Sequence, residues 1–255
     1  MKLTNQDLKK LSQIAMAAAK EAGNMIEDYA GQEFQVERKI SGQSLAAQVV
    51  TEVDRKSQDI ILKHLEPTLK PYDLGILAEE SEDDLSRFAK DYFWSVDPMD
   101  GTLPFVESRP GYAVSIGLVS KAGAPYIGVV YEPQKQILFH AIKGQGSFQD
   151  GEPWTPQTSQ ASTYEVVDVG GAVMNACWAL EVENGCYFKP PKEKEGCGCV
   201  WDYAAVACIY ENIGAWVSDM QGQPLELNRR ESLYMNHRGI LFANSEKIAR
   251  SILEK

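Results

Sequence analysis

The sequence predicts a mixed α/β chain, layered and divided into two lobes. Three observations carry that expectation. Apolar residues recur at helical spacing from Leu8 to Ile26. A series of strand-like runs broken by turn residues extends from Phe93 to Phe148. A polar, proline-containing stretch, DGEPWTPQTSQAST from Asp150, then separates this series from a second set of strands and helices. The boundary gives an N-terminal lobe over residues 1–152 and a C-terminal lobe over 153–255.

The first helix carries Leu8, Leu11, Ile14, Ala15, Ala18, Ala22, Met25 and Ile26 on one face. Asn5 or Asp7 caps its start, and Gly31 follows its end. The segment VVTEVDRKSQDIILKHLEP begins as a strand and turns helical, and Pro67 is expected to stop it. DLGILAEES is a short apolar run ending in Glu79 and Glu80. FWSV, YAVSIGLV and YIGVVY read as strands, with YIGVVY returning antiparallel after the KAGAP turn. In the second lobe, YEVVDVGGAVMNACWAL reads as strand, Gly-Gly turn and helix. WDYAAVACIYENIG is a helix, AWVSDM and GILFANS are strands, and SEKIARSILEK is a closing helix.

The chain has 255 residues, of which 44% are hydrophobic and 24% charged, as expected of a globular protein with a sizeable core. The formal charge of −11 disfavours a broad face for a nucleic-acid polymer. It also requires that an anionic ligand meet a local cation, either a basic side chain or a metal. The first twenty residues lack an uninterrupted apolar run, and no later segment is long and apolar enough to span a membrane. The expectation is a cytoplasmic protein with no membrane partner. Its five cysteines are expected as free thiols, and the CGC at Cys197 lacks the spacing of a zinc site.

The decisive stretch is VDPMDGT. Asp97 and Asp100 stand three residues apart at the end of a strand, where a simple turn needs only one aspartate. Pro98 ends the strand's ladder, Gly101 permits close approach of the backbone, and Thr102 is a candidate cap of a short helix containing Pro104. Two carboxylates and free N–H groups at one strand tip suit Mg²⁺ together with a phosphate. Glu79, Glu80, Asp54 and Asp202 also lie at the ends of apolar segments.

LAEES, VDPMDGT and, about a hundred residues later, WDYAA together resemble the inositol monophosphatase superfamily of Mg²⁺-dependent phosphatases. The resemblance extends to VVTEVD, GVVYEP, KGQGSFQDGEPW and GGAVMNACWAL, and so runs through most of the chain. It implies an αβαβα layered fold shared with fructose-1,6-bisphosphatase, a homodimer, and two or three Mg²⁺ ions at each site. It further implies that Glu79 ligates a first metal and, with Thr102, orients the attacking water. Asp97 and the Met99 carbonyl would be metal ligands, and Asp100 and Asp202 would complete a second metal site. Asp54 would support Thr102 or a more weakly held ion, and Gly101 and Thr102 would offer N–H groups to the phosphate.

The pattern departs from the family at Ala78, at Leu103-Pro104-Phe105 and at ENIGAW from Glu211, and Lys39 takes no role because its spacing to Asp54 is too long. These departures touch substrate recognition rather than metal binding. The expected substrate is a small inositol- or sugar-type phosphate, and the alternative is a 3′(2′),5′-bisphosphate nucleotide. Asp202, Glu211, Arg109 and Val169–Ala172 are candidates to face it. A catalytically silent metal- or phosphate-binding relative is disfavoured because Glu79, Asp97, Asp100, Thr102 and Asp202 are all present. A calcium-stabilised structural protein is disfavoured because no EF-hand loop occurs.

Overall fold

A computed structural model describes residues 2–32, 36–38, 49–159 and 163–254. Lys39 lies outside the described residues.

Helix α1 (Asn5–Tyr29) buries Leu8, Leu11, Ala15, Ala18, Ala22 and Ile26 on the predicted face. Its cap is Thr4, one residue before the expected pair. The Thr4 hydroxyl accepts from the Asp7 N–H, and the Asp7 carboxylate accepts from the Thr4 N–H, so Asp7 is the third helical residue of a reciprocal cap. Strands β1 (Val36–Arg38) and β2 (Val49–Thr51) pair antiparallel. Helix α2 (Glu52–Tyr72) repeats the same start, with Thr51 as cap and Asp54 as the third residue.

Pro67 does not stop α2, which runs on through Pro67 and Pro71 to Tyr72. An interior proline costs about 3 kcal/mol or more, so tertiary packing must offset it. Leu65 and Thr68 are buried, and the Trp94 indole N–H donates to the Thr68 hydroxyl at 2.9 Å.

A seven-stranded sheet runs in sequence order: β3 (Leu74–Ala78), β4 (Tyr92–Asp100), β5 (Ala113–Ser120), β6 (Pro125–Glu132), β7 (Ile137–Ile142), β8 (Ser147–Gln149) and β9 (Glu152–Pro153). Only β3 and β4 pair parallel, and every later neighbour is antiparallel, including the expected β5–β6 hairpin. Two short helices flank β4: α3 (Ser86–Ala89) before it and α4 (Thr102–Val106) after it.

The second sheet has the order β10 (Glu165–Val166), β11 (Gly185–Lys189), β13 (Ile240–Ala243), β12 (Trp216–Ser218). Strand β11 had no counterpart among the predicted elements. Helices α5 (Ala172–Glu181) and α6 (Val200–Ile213) lie between the two sheets, and α7 (Glu246–Leu253) covers the outer face of the second. With α1 and α2 on the far side of the large sheet, the layers read α, β, α, β, α. This is the layered α/β architecture that the sequence predicts.

Two glycines set how closely α6 approaches the large sheet. Gly117 and Gly128 face one another across β5 and β6. A Cβ on Gly117 would lie 2.8 Å from the Ala204 Cβ, and one on Gly128 would collide with the Ala205 carbonyl. Because the obstacle at Gly128 is backbone of a buried helix, it cannot rotate away. Gly128→Ala is therefore expected to cost about 1–3 kcal/mol, a Tm loss of about 3–10 °C by calorimetry. An unchanged Tm would show that α6 is free to shift.

Candidate active site

Register brings the acids together. Parallel pairing of Ala78 with Val96 sets the end of β3 beside β4, and the Glu79 N–H donates to the Val96 carbonyl at 3.1 Å. Glu79 therefore follows the end of β3 at the level of Asp97 on β4. The β4–β5 pairing then slips between Asp97 and Asp100, and Pro98 sits in this irregularity, where its missing N–H breaks no ladder bond. The Ser57 hydroxyl on α2 donates to the Pro98 carbonyl at 2.6 Å and pins the turn. The Met99 N–H closes it by donating to Asp97 Oδ1 at 3.0 Å.

Asp202 arrives from α6, which packs against the large sheet. It is the third residue of α6, not its cap, and its Oδ2 accepts from the Cys199 N–H at 3.0 Å. Carboxylate oxygens of Asp97, Asp100 and Asp202 all lie within 4.8 Å of one another. Asp97 is 1% exposed and Asp100 8%, so water screens their charges poorly.

The electrostatics follow. Burial pushes the Asp97 carboxyl well above the usual carboxylate range, and the charges of Glu79, Asp100 and Asp202 push it further. Burial raises Asp202 to about 7, with Asp100 adding to the shift, while the Cys199 N–H and Lys189 oppose it. Burial raises Asp100 to about 6, partly countered by the N–H groups of Val173 and Ala172 and by Lys189. Each of these acids destabilises its neighbours' charge, and a hard divalent cation would remove that conflict. The donor set, all carboxylate oxygen, suits Mg²⁺.

Asp100 is held by a contact that the sequence did not show. Its two oxygens accept from Ala172 and Val173 N–H at 3.1 and 2.8 Å, so it caps α5 from a different strand. Gly171 precedes α5 and has no capping side chain, because a Cβ there would strike the Asp100 carboxylate. Asn175 secures the same loop, accepting from the Val169 and Gly170 N–H groups at 2.9 Å each. The Val169–Ala172 segment thus supports the Asp100 carboxylate from behind.

Thr102 is the first residue of α4, and Gly101, in a left-handed conformation, occupies the cap position expected for Thr102. The Thr102 hydroxyl lies 2.9 Å from Asp54 Oδ1 and 3.2 Å from the Met99 carbonyl. Asp54 Oδ2 accepts from the N–H and hydroxyl of Thr51, at 2.7 and 2.6 Å. Both Asp54 oxygens are therefore engaged, linking the start of α2 to Thr102. Burial lifts it to about 6 against the pull of those three donors, with Glu80 adding to the rise.

Of the candidates to face substrate, Glu211 falls elsewhere, while Arg109 adjoins the Val169–Ala172 segment. Glu211 lies nine residues beyond Asp202 on α6, about 13 Å along the axis and on the opposite face. Burial raises its carboxyl and Lys143 lowers it, so its charge environment is that of the β7–β8 turn. Arg109 is paired with Glu107 at 2.6 Å, with Nη1 3.4 Å from the Val169 carbonyl. Conversely, Lys189 at the end of β11 acts electrostatically on both Asp100 and Asp202. Its one sequence signal is a lysine closing CYFK before a Pro-Pro turn. All five cysteines are free thiols.

The inositol monophosphatase family model matches residues 7–177, a span that contains Asp54, Glu79, Asp97, Asp100 and Thr102. The chain belongs to the inositol monophosphatase family. It is 33% identical to the Nus factor SuhB of Escherichia coli K12 over 235 residues, 82% of this chain and 85% of that protein. It is 29% identical to the inositol-1-monophosphatase of Synechocystis, covering 90% of this chain and 86% of that one. The structure of 2′AMP-bound inositol monophosphatase II from Staphylococcus aureus superposes with a TM-score of 0.72 at 23% identity, over 97% of this chain and 93% of that one. This family member is a phosphomonoesterase with an acidic cluster able to hold metal. Among the described residues, no helix is long and apolar enough to cross a membrane.

Proposed function

We propose that this chain hydrolyses a small phosphomonoester in a Mg²⁺-dependent reaction, with two or three ions held by Glu79, Asp97, Asp100, Asp202 and the Met99 carbonyl. The observation that carries this reading is the convergence of Asp97, Asp100 and Asp202 within 4.8 Å from β4 and α6, buried and mutually repelling. When bound, the metal would neutralise the phosphate, acidify the attacking water and stabilise the leaving alkoxide.

The protein supplies position and proton transfer. The Thr102 hydroxyl proton points to Asp54, so the Thr102 oxygen keeps lone pairs to accept a hydrogen bond from the attacking water. Glu79, at the tip of β3 beside Asp97, is the group that takes the water's proton. Gly101 and Thr102 open α4 and offer N–H groups to phosphate oxygens. Holding water and ester in line then accounts for much of the rate.

The first substrate reading is an inositol- or sugar-type phosphate, which the named relatives support. The second, a substrate bearing an additional phosphate such as a 3′(2′),5′-bisphosphate nucleotide, is favoured by Lys189, whose ammonium acts electrostatically on Asp100 and Asp202. Phosphate release with Mg²⁺ from inositol 1-phosphate, adenosine 3′,5′-bisphosphate, fructose 1,6-bisphosphate and histidinol phosphate tests both, with Asp100→Asn as control. The expected result is one preferred substrate and a variant slowed by about a hundredfold or more. Full activity in the variant would remove Asp100 from the site.

A further inference from the structure

We propose that Gln58 is a positioning residue of the reaction: with two hydrogen bonds from α2 it holds the Glu79–Ser81 turn in the place from which Glu79 serves the metal and the attacking water. This deepens the reading of the site as a Mg²⁺-dependent phosphatase and rests on it.

Gln58 lies one helical turn beyond Asp54, on the same face of α2, and is 5% exposed. Its Oε1 accepts from the Glu80 N–H at 2.9 Å, and its Nε2 donates to the Ser81 hydroxyl at 2.8 Å. Both ends of the amide therefore go to one turn, 22 and 23 residues away in the sequence. A buried amide costs free energy unless it is paired, and this one finds its partners on that turn. On its other side the turn is tied to the sheet by the Glu79 N–H on the Val96 carbonyl. The Ser81 N–H closes it by donating to the Ala78 carbonyl at 3.2 Å. One face of α2 thus reaches three parts of the site. Asp54 accepts from Thr102, Ser57 donates to the Pro98 carbonyl, and Gln58 grips the turn that follows β3.

Glu79 is the proposed ligand that most needs such a hold. Asp97 and Asp100 stand on β4 and Asp202 on α6, so regular backbone bonds fix where they start. Glu79 lies past the end of β3, half-buried, on a turn that leads into the exposed Ser81 and Glu82. Strand pairing fixes its N–H but not the plane of the peptide that follows. Rotating the Glu79–Glu80 peptide would swing the carboxylate and leave the β3–β4 ladder intact. The bond from the Glu80 N–H to Gln58 fixes that plane. A carboxylate that holds an ion and receives a proton must be placed to within about 0.5 Å. Partners that orient a metal ligand are worth about tenfold to a hundredfold in affinity or rate.

The test is Gln58→Met in the full chain, which keeps the side chain's length and neutrality and removes both hydrogen bonds. Thr68→Val is the control. It removes the buried bond from the Trp94 indole, about 15 Å farther along the same helix, and so destabilises the fold without touching the turn. In calorimetric Mg²⁺ titration without substrate, Gln58→Met should bind the ion about tenfold to a hundredfold more weakly than wild type. Thr68→Val should stay within about twofold of wild type. On a Glu79→Gln background, where the other carboxylates carry the binding, Gln58→Met should change the affinity by no more than about twofold, since its effect passes through Glu79. At saturating Mg²⁺, Gln58→Met should lose about tenfold or more in kcat, with KM within about threefold. In chelator, the Glu80 amide should exchange its hydrogen at least about tenfold faster in Gln58→Met than in wild type or Thr68→Val. Wild-type Mg²⁺ affinity in Gln58→Met, an equal loss in Thr68→Val, or losses that add on the Glu79→Gln background would each overturn the proposal while leaving the phosphatase reading in place. A wild-type protein that bound no Mg²⁺ and released no phosphate would overturn both, so the wild-type titration tells the two failures apart.

Discussion

Asp97→Asn is expected to lower kcat/KM by about a thousandfold or more, roughly 4 kcal/mol of transition-state stabilisation, while raising the Tm of the metal-free protein. The two effects have one cause. Asp97 is buried, and its carboxyl is driven up by burial and by Glu79, Asp100 and Asp202. A neutral amide of the same shape removes that repulsion and can still accept the Met99 N–H through Oδ1. The fold is relieved of a conflict that function requires, a trade common at active sites. Melting curves in chelator at pH 8 should place the variant about 2–8 °C above wild type. A lower Tm would mean that the Asp97 carboxylate stabilises the fold without metal, and that the cluster is not under the repulsion its burial implies.

The second large effect is a pH dependence that Mg²⁺ reverses. Asp54 and Asp100 sit at about 6 and Asp202 at about 7, against an ordinary value of 3.8. Because these values are raised, the folded chain holds protons that the unfolded chain has released. Their contribution to stability is complete below pH 3.8 and is lost as pH rises through 6 to 7. Each group loses up to about 1.4 kcal/mol per pH unit across that window. Metal-free protein should therefore melt several degrees lower at pH 8 than at pH 5.5. Mg²⁺ binds the deprotonated carboxylates, so its stabilisation, which grows as RT ln(1 + [Mg²⁺]/Kd), should be larger at pH 8. Equal Mg²⁺-induced shifts in Tm at both pH values would contradict the assignment of these carboxylates as ligands.

The clustered acids were legible because charge at the end of an apolar segment is costly unless it is used. Asp97, Asp100 and Asp202 met that criterion one at a time, and the structure brings them together. The parallel pairing of β3 with β4 was not legible, because strand direction is set by the chain crossing between Ala78 and Tyr92, not by residue pattern. The tie between Asp54 and Thr102 was half visible: Thr51-x-x-Asp54 is a helix-start signature, but the partner of the remaining oxygen lies 48 residues away. Pro67 misled because local propensity competes with packing, and the Trp94 bond to Thr68 lies in the packing. Glu211 was readable against its assignment, since nine residues of helix turn a side chain to the opposite face from Asp202. Lys189 escaped because the five residues GCYFK do not declare a strand, and the charges that act on it come from β4 and α6.

Asp97, Asp100 and Asp202 are assigned as the residues that hold the Mg²⁺ hydrolysis requires, and everything else about the site depends on that assignment. Its most direct test is the initial rate of phosphate release, on the best substrate of the panel, as a function of free Mg²⁺ for wild type and Asp97→Asn. The predicted result is a saturable rise from no measurable rate in chelator for wild type, and a variant that stays at least about a hundredfold slower at every Mg²⁺ concentration. Wild-type turnover that persists in chelator, or a variant that matches wild type at high Mg²⁺ with unchanged half-saturation, would contradict it.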